Sequence, residues 1–569
     1  MIGLLLLLIP VCCFAPGFWV VRKLRWTPLE TLAASVGLSL VVVYLVALGI
    51  HWAHLPWALS WGLSAVSLAA LVASRRELAV LLRRVTVRRA LRWFGVLFAA
   101  NLLMLAVIRH YTGGLWCCDW YEHYERALWF LDFGPVEHRF INIYLLPARP
   151  PLMNLVTAFF MAQAGRSFSA FQVVCAFLNL IVFLPCVLLA RHLAPRGARQ
   201  TALIAILFAL NPMITENAQF TWTKAATSFF VVLAVALYLT GWRKADPVRT
   251  GAAFLSLSAG ILVHYSAGPF TVFLALHFAL YVLWCRKGAL RRLGELAGIV
   301  LPSAALLGTW AAYALSRFGL EGTLLANSVA RDSKGMSFAD ILEKTGGNIV
   351  DSIIPYALRS QASVTVNGDT LRRVVDGAFY TYQVNLPFAI GSVGGVLALA
   401  LLVRSLWPGR GGLPGRVPLF WLLLVLFTGV LGIATHGARD HYGVAHVGLQ
   451  PLIAIAIAFV AANLPSVPKM LRGLLLGGLA LDFVFGIAIH LYMESQVENW
   501  ATDGNLALKK AGNLDRVYLG DVLARASRPL LVLGLMVALA LLFYAYWAMA
   551  RLPESPWRRR HRHVIAPGS

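Results

Sequence analysis

Long apolar runs separated by short polar breaks repeat along almost the whole chain. The runs lie near 2–21, 28–50, 55–73, 91–109, 168–190, 200–213, 225–241, 250–265, 268–285, 295–315, 386–403, 418–435, 444–462, 472–492 and 529–550. Most are long enough to cross a hydrocarbon core as helices, which takes about 17–25 residues. The pattern therefore predicts an all-α polytopic membrane protein with about fifteen transmembrane helices.

Composition strengthens that expectation. Of 569 residues, 59% are hydrophobic and only 13% charged, with a mean hydropathy of +0.72. A soluble domain carries about 25% charged residues, so this chain needs lipid as a second apolar solvent. The net charge of +24 does not point to nucleic acid. Its lysines and arginines sit in short loops: "RKLR" at 22–25, "RRELAVLLRRVTVRRALR" at 75–92 and "RHLAPRGAR" at 191–199. Basic residues concentrated in alternate loops set membrane orientation. With the N-terminus outside, all the basic clusters, including the tail after Arg551, fall on the cytoplasmic side. That assignment requires "PPLMNLVTAFFMAQAG" (150–165) to lie along the outer surface as a juxtamembrane helix instead of crossing.

Three regions follow: 1–90, a three-helix membrane segment without an assigned role; 91–550, the main helical domain; and 551–569, a basic tail suited to anionic headgroups. Cys12, Cys13, Cys175, Cys186 and Cys285 lie in or beside apolar spans, where thiols act as small hydrophobes. Cys117 and Cys118 are adjacent on the outer side, and no zinc spacing occurs. "MIGLLLLLIP" lacks a basic region before its apolar stretch, so a cleaved signal peptide is not expected.

The same topology assigns the acid-rich segments to the outside: 110–167, 214–224, 316–385, "THGARDHYGVAH" at 435–446 and 493–528. The inner loops are brief and basic, without a P-loop or a Gly-rich dinucleotide turn, which excludes a cytoplasmic ATP motor within this chain. Chemistry is expected at the outer membrane surface.

Directly after one apolar run stands "CCDWYEHYERALWFLDFG" (117–134). On a helix, Asp119, Glu122, His123 and Arg126 share a face. Trp120 can anchor the segment at the headgroup layer. A carboxylate at the mouth of a helix bundle suits general-base work; a solvated loop helix is the alternative. In "YLLPARPPLMNL" (144–155), Arg149 precedes two prolines that fix an extended approach to a helix. It can grip a phosphate with paired hydrogen bonds or snorkel to the interface.

These two elements together resemble the GT-C membrane glycosyltransferases, in particular the bacterial relatives of the protein O-mannosyltransferases and of the lipid A aminoarabinose transferase. The likeness is an acid with an aromatic close behind it in the first long outer loop, followed by a basic-Pro-Pro-Leu element. It covers roughly 91–290 well and the rest only through its many spans. It implies a GT-C-like bundle with outer juxtamembrane helices and a polyprenyl-phosphate-linked sugar as donor. Asp119 would be the catalytic carboxylate, with Glu122 the fallback, and Arg149 would contact the donor phosphate. Lys224, in "LNPMITENAQFTWTKAATSFF", occupies the place where many members carry a second aspartate. Either a single base suffices, or Glu216 or Glu122 takes the second role. Lys224 itself meets the phosphate or anchors to headgroups.

Further polar groups sit at the edges of spans, where they tend to face cavities. They include His264 and Tyr265 in "LVHYSAGPF", and His436, Arg439, Asp440, His441, Tyr442 and His446 in the 435–446 segment. Arg439 joins Arg149 and Lys224 as a candidate phosphate ligand. Trp120, His123, Glu216, His264, Tyr265, His441 and His446 are candidate lining of a sugar cavity. The three histidines with Asp440 could hold a divalent ion, but their spacing matches no recognised ligand pattern. No metal site and no cofactor are therefore expected. The expected function is transfer of a sugar, with inversion, to a glycan, lipid or protein acceptor at the outer face of a bacterial inner membrane. The alternative is a transporter or flippase. Membrane lipids are partners in either case, and nucleic acid in neither.

Overall fold

The computed structural model describes residues 2–106, 119–142, 144–193, 200–285, 288–326, 335–355, 417–436, 450–464 and 467–495, with isolated positions elsewhere. The regular secondary structure among the described residues is all helical, apart from one isolated β-bridge between Phe140 and Tyr144.

The first apolar run is divided into α1 (Ile2–Cys12) and α2 (Ala15–Val21). The latter packs backbone to backbone on α3 (Pro28–Trp52). A Cβ on Gly17 would strike the Ser35 carbonyl, and the Gly17 N–H donates to Ser39 Oγ at 2.8 Å. Only a glycine permits that approach. Thr27 and Glu30 form a capping box at the start of α3, with Pro28 in the first turn, which satisfies amides the helix leaves open.

The next run is bent by 72° between α4 (Ser60–Ala73) and α5 (Arg75–Arg83), and α6 (Val85–Leu105) follows. Two shorter helices, α7 (Asp119–Leu131) and α8 (Leu152–Ala164), precede α9 (Phe168–Leu180) and α10 (Phe183–Leu193). The pair α9–α10 forms one fully buried apolar span. Beyond it, α11 (Gln200–Ala209) and α12 (Pro212–Gln219) meet at 73°. The bend has a local cause. Asn211 caps α12 by accepting from the Ile214 N–H at 2.8 Å, and Pro212 occupies its first turn; proline there has no amide to continue the preceding helix.

α13 (Lys224–Lys244) and α14 (Pro247–Val263) form an antiparallel hairpin at the centre of the bundle. α15 (Gly268–His277) and α16 (Ala289–Leu324, broken at Gly319) follow. The remaining described helices are α17 (Phe338–Ile353), α18 (Val417–Thr435), α19 (Gln450–Asn463) and α20 (Lys469–Ser495).

Six helices among the described residues are long and apolar enough to cross a membrane, or eight if each bent pair is one span. The chain is thus a multi-pass helical membrane protein, with fewer recognisable spans in the described part than the fifteen apolar runs suggest. One expectation needs correcting. The run at 200–213 is the first limb of a bent pair, not a straight span. The segment 150–165 forms a helix too short to cross alone, at 13 residues. It is buried on every side, between α3, α7 and α9.

The bundle has two chemically different ends. At one, Arg249 on α14 donates to Glu30 at 3.0 and 3.1 Å and pairs with Asp246. There too His192 meets Thr240 (3.2 Å), Arg291 reaches the Ala245 carbonyl (3.5 Å) and Arg22 pairs with Glu77. Described residues of five of the basic clusters that charge alternation assigns to one side, those at 22–25, 75–92, 191–199, 242–249 and 286–292, are therefore gathered at one end. The 21 residues of α13 rise about 32 Å, close to the ~30 Å hydrocarbon thickness. That rise separates this basic end from Lys224. At the far end, His51 of α3 bonds the Phe130 carbonyl (2.9 Å) and Tyr313 (3.1 Å), tying α3 and α16 to α7.

Candidate functional site

α7 carries three consecutive members of its expected polar face inward. Glu122, His123 and Arg126 are 0%, 2% and 0% exposed. Buried charges are tolerated only when paired and hydrogen-bonded, and these are. Arg126 lies one turn after Glu122, and its Nε and Nη2 reach Glu122 Oε1 at 2.9 and 2.7 Å. The same guanidinium donates from Nη1 to the Leu146 carbonyl (2.6 Å) and from Nη2 to the Leu145 carbonyl (3.2 Å), and lies 4.2 Å over the Phe140 ring.

Those carbonyls belong to the turn that presents Arg149. Residues Leu146–Ala148 form a single 3-10 turn, and Arg149 follows in extended conformation (φ −128°, ψ 136°), as a residue before proline prefers. Tyr265 donates to the third carbonyl in the series, that of Pro147, at 3.0 Å. Arg126 and Tyr265 thereby clamp three successive peptide units ahead of Arg149. The Arg149 guanidinium lies 5.0 Å over the Tyr144 ring, and its Nε stands 3.5 Å from Glu122 Oε2. That is an ion-pair distance without hydrogen-bond geometry, so Oε2 has no hydrogen-bond partner among the described residues.

His123 points at α8, its Nδ1 3.0 Å from Asn154 Oδ1. With the amide oxygen as acceptor, the ring proton is on Nδ1 and Nε2 is left as an acceptor. His264 has the opposite arrangement: its Nδ1 accepts from the Ser266 N–H at 3.1 Å, so a neutral ring carries its proton on Nε2. The charges that bear on His264 are those of Lys224, Arg149, His123 and His436, which places these groups around one region. Lys224 begins α13, is 5% exposed, and holds its ammonium 4.6 Å over the Trp222 ring. Beside it, Glu216 on α12 is 2% exposed; Oε2 accepts from Asn217 (3.3 Å), while Oε1 has no partner among the described residues.

Burial opposes charge on Glu122, but Arg149, Arg126 and His123 outweigh it and hold the carboxyl down at about 2. A carboxylate so stabilised is a poor base. Burial also pushes His123 down to about 3, with Lys224, Arg126 and Arg149 opposing protonation further and Glu122 alone favouring it. The site thus holds a neutral imidazole among three cations.

The described site therefore unites Glu122, His123, Arg149, Lys224, Glu216, His264 and Tyr265 at the end remote from the basic loops. Asp119 and Trp120 open α7, but their side chains lie outside the described residues, as do Arg439, His441 and His446. Among the described residues no three His, Cys, Asp or Glu side chains gather as a metal site. Two further acids nearby are structural: Glu125 of α7 accepts from His138 and from the Ile141 N–H (3.0 and 2.9 Å), and Asp132, just past the end of α7, pairs with Arg166. Sequence reading missed the anchoring role of Arg126 and the partner Asn154. The Glu-x-x-x-Arg spacing signals the first; no local pattern signals the second.

Comparison with protein-family models and with curated proteins gives no match, so the chemistry of the site has to be read from its own geometry.

Proposed function

We propose that this chain is an integral-membrane glycosyltransferase that moves a sugar from a polyprenyl-phosphate donor to an acceptor at the outer face of a bacterial inner membrane. One observation carries the reading: the Arg149 guanidinium and the Lys224 ammonium both act on the buried His123 and His264 at the non-basic end of an apolar bundle. A phosphate on a lipid tail fits both requirements, since the tail belongs between helices and the anion needs buried cations. The GT-C resemblance of the sequence points the same way.

In this reading the prenyl phosphate rests on Arg149 and Lys224, with the sugar beside His123, His264 and Tyr265. Asp119, at the start of α7, takes the proton from an acceptor hydroxyl or amine as it attacks the anomeric carbon. The phosphate departs as an anion stabilised by the two cations, so no acid is needed at the leaving group. A single displacement inverts the anomeric centre. Asp119→Asn is expected to lower transfer by about 10²–10⁴-fold, the usual contribution of a general base, with the donor still bound.

A carrier or flippase is the second reading, favoured by the bend between α11 and α12 beside the buried Glu216. Broken helices with buried polar groups line transport paths. Loss of sugar transfer in Asp119→Asn with donor binding kept separates the transferase from a flippase, and native mass spectrometry of the purified protein tests the donor site itself. Retention of a polyprenyl phosphate or its glycosylated form by the wild type, lost in Arg149→Ala, supports the transferase. Ordinary phospholipids alone, unchanged by the substitution, contradict it.

A further inference from the structure

Glu122 is too well paired to be a base, yet it sits against the cation that the proposed function needs most. We propose that Glu122 is a positioning residue that sets the orientation of the Arg149 guanidinium for a lipid-borne phosphate. The inference rests on the donor reading above and assigns Glu122 a role within that site.

The geometry is a relay of two arginines on one carboxylate. Arg126 takes Oε1 and spends its remaining donors on the Leu145 and Leu146 carbonyls. It therefore fixes Glu122 and the turn before Arg149 in the same frame. The second oxygen, Oε2, faces Arg149 Nε at 3.5 Å and has no hydrogen-bond partner among the described residues. The Tyr144 ring supports the guanidinium plane at 5.0 Å. A guanidinium addressed through Nε by a fixed carboxylate has its Nη1 and Nη2 edge as the fork that matches two phosphate oxygens. A small side-chain adjustment closes the Nε–Oε2 gap when a phosphate engages that fork, as site hydrogen bonds often tighten on binding.

The proposal predicts a sign that simple electrostatics does not. Glu122 is a negative charge beside a phosphate site, so by charge alone Glu122→Gln should tighten anion binding. If orientation dominates, the same change weakens it.

The experiment measures the affinity of the full-length protein in nanodiscs for a short-chain polyprenyl phosphate, with the uncharged polyprenol as control. For Glu122→Gln the Kd for the phosphate is expected to rise about tenfold, the size of one charge-assisted hydrogen bond, with polyprenol binding unchanged. Glu122→Asp, which keeps the charge but retracts it by one methylene, should fall between, with a rise of about threefold. It serves as the test if the glutamine variant does not fold. In an Arg149→Ala background, Glu122→Gln should have no further effect, because coupled residues are not additive. Unchanged or tighter phosphate binding in both Glu122 variants overturns the positioning role while a loss in Arg149→Ala leaves the donor reading standing. A wild-type protein that does not prefer the phosphate to the alcohol overturns both.

Discussion

Three neighbouring side chains on one helix, Glu122, His123 and Arg126, are buried, and each has a different duty. Arg126 is the structural member. It joins α7 to the turn at 145–148 through one carboxylate and two carbonyls. Breaking a buried pair strands a charge and costs about 3–5 kcal/mol. Arg126→Ala should accordingly lower stability by about that amount, read as a fall in apparent melting temperature. Arg126→Lys should rescue it poorly, because a point ammonium cannot satisfy three acceptors in fork geometry. His123 makes stability depend on pH. The folded protein resists protonating it until about 3, whereas an unfolded chain does so near 6.5. The unfolded state therefore binds more protons in that window, and stability falls as pH drops below 6.5. Glu122 acts in the same direction further down, its contribution present above 4.5 and lost towards 2. Melting scans between pH 7 and 5 should show the decline, and His123→Gln should make it shallower; an equal slope in the variant would rule out His123 as one of its sources. The shared face of these residues was legible from their spacing alone. Their division of labour was not, because the carbonyls that claim Arg126 and the amide that orients His123 lie some twenty to thirty residues along the chain.

Among the elements, the close approaches and bends matter more than the lengths. α2 meets α3 at Gly17, where any side chain strikes the Ser35 carbonyl. Gly17→Val should destabilise by about 1–3 kcal/mol, the usual range for overpacking. An unchanged melting temperature would mean that the two helices do not lie so close. α8 is largely apolar and enclosed by protein, and a periodicity argument cannot distinguish that from a lipid-facing helix. The same ambiguity inflates a count of spans. An apolar run records burial but not direction, so the 72° and 73° bends at α4–α5 and α11–α12 were invisible until the chain was folded. Asn211-Pro212 was the one local clue, a cap followed by a residue that cannot continue the previous helix.

At the scale of the molecule, charge alternation was the most informative signal. Loops assigned to one side from their lysines and arginines meet at one end, through Arg249, Glu30, Asp246, His192 and Arg291. The cluster of Glu122, Arg149, Lys224 and His264 occupies the other. Of the residues singled out in the sequence, Glu122, His123, Arg149, Lys224, Glu216, His264 and Tyr265 lie at that end, whereas Arg439, His441, His446 and the side chains of Asp119 and Trp120 lie outside the described residues. In the proposed reading, the separation of basic loops from the buried cations gives a phosphate-bearing lipid a defined side from which to bind. The most direct measurement is a cryo-EM map of the protein loaded with a short-chain polyprenyl phosphate. The expected result is phosphate density within hydrogen-bonding distance of both Arg149 and Lys224, with the chain descending between helices. Lipid phosphate bound only among the basic loops at the opposite end, with the Arg149–Lys224 region empty, would contradict it.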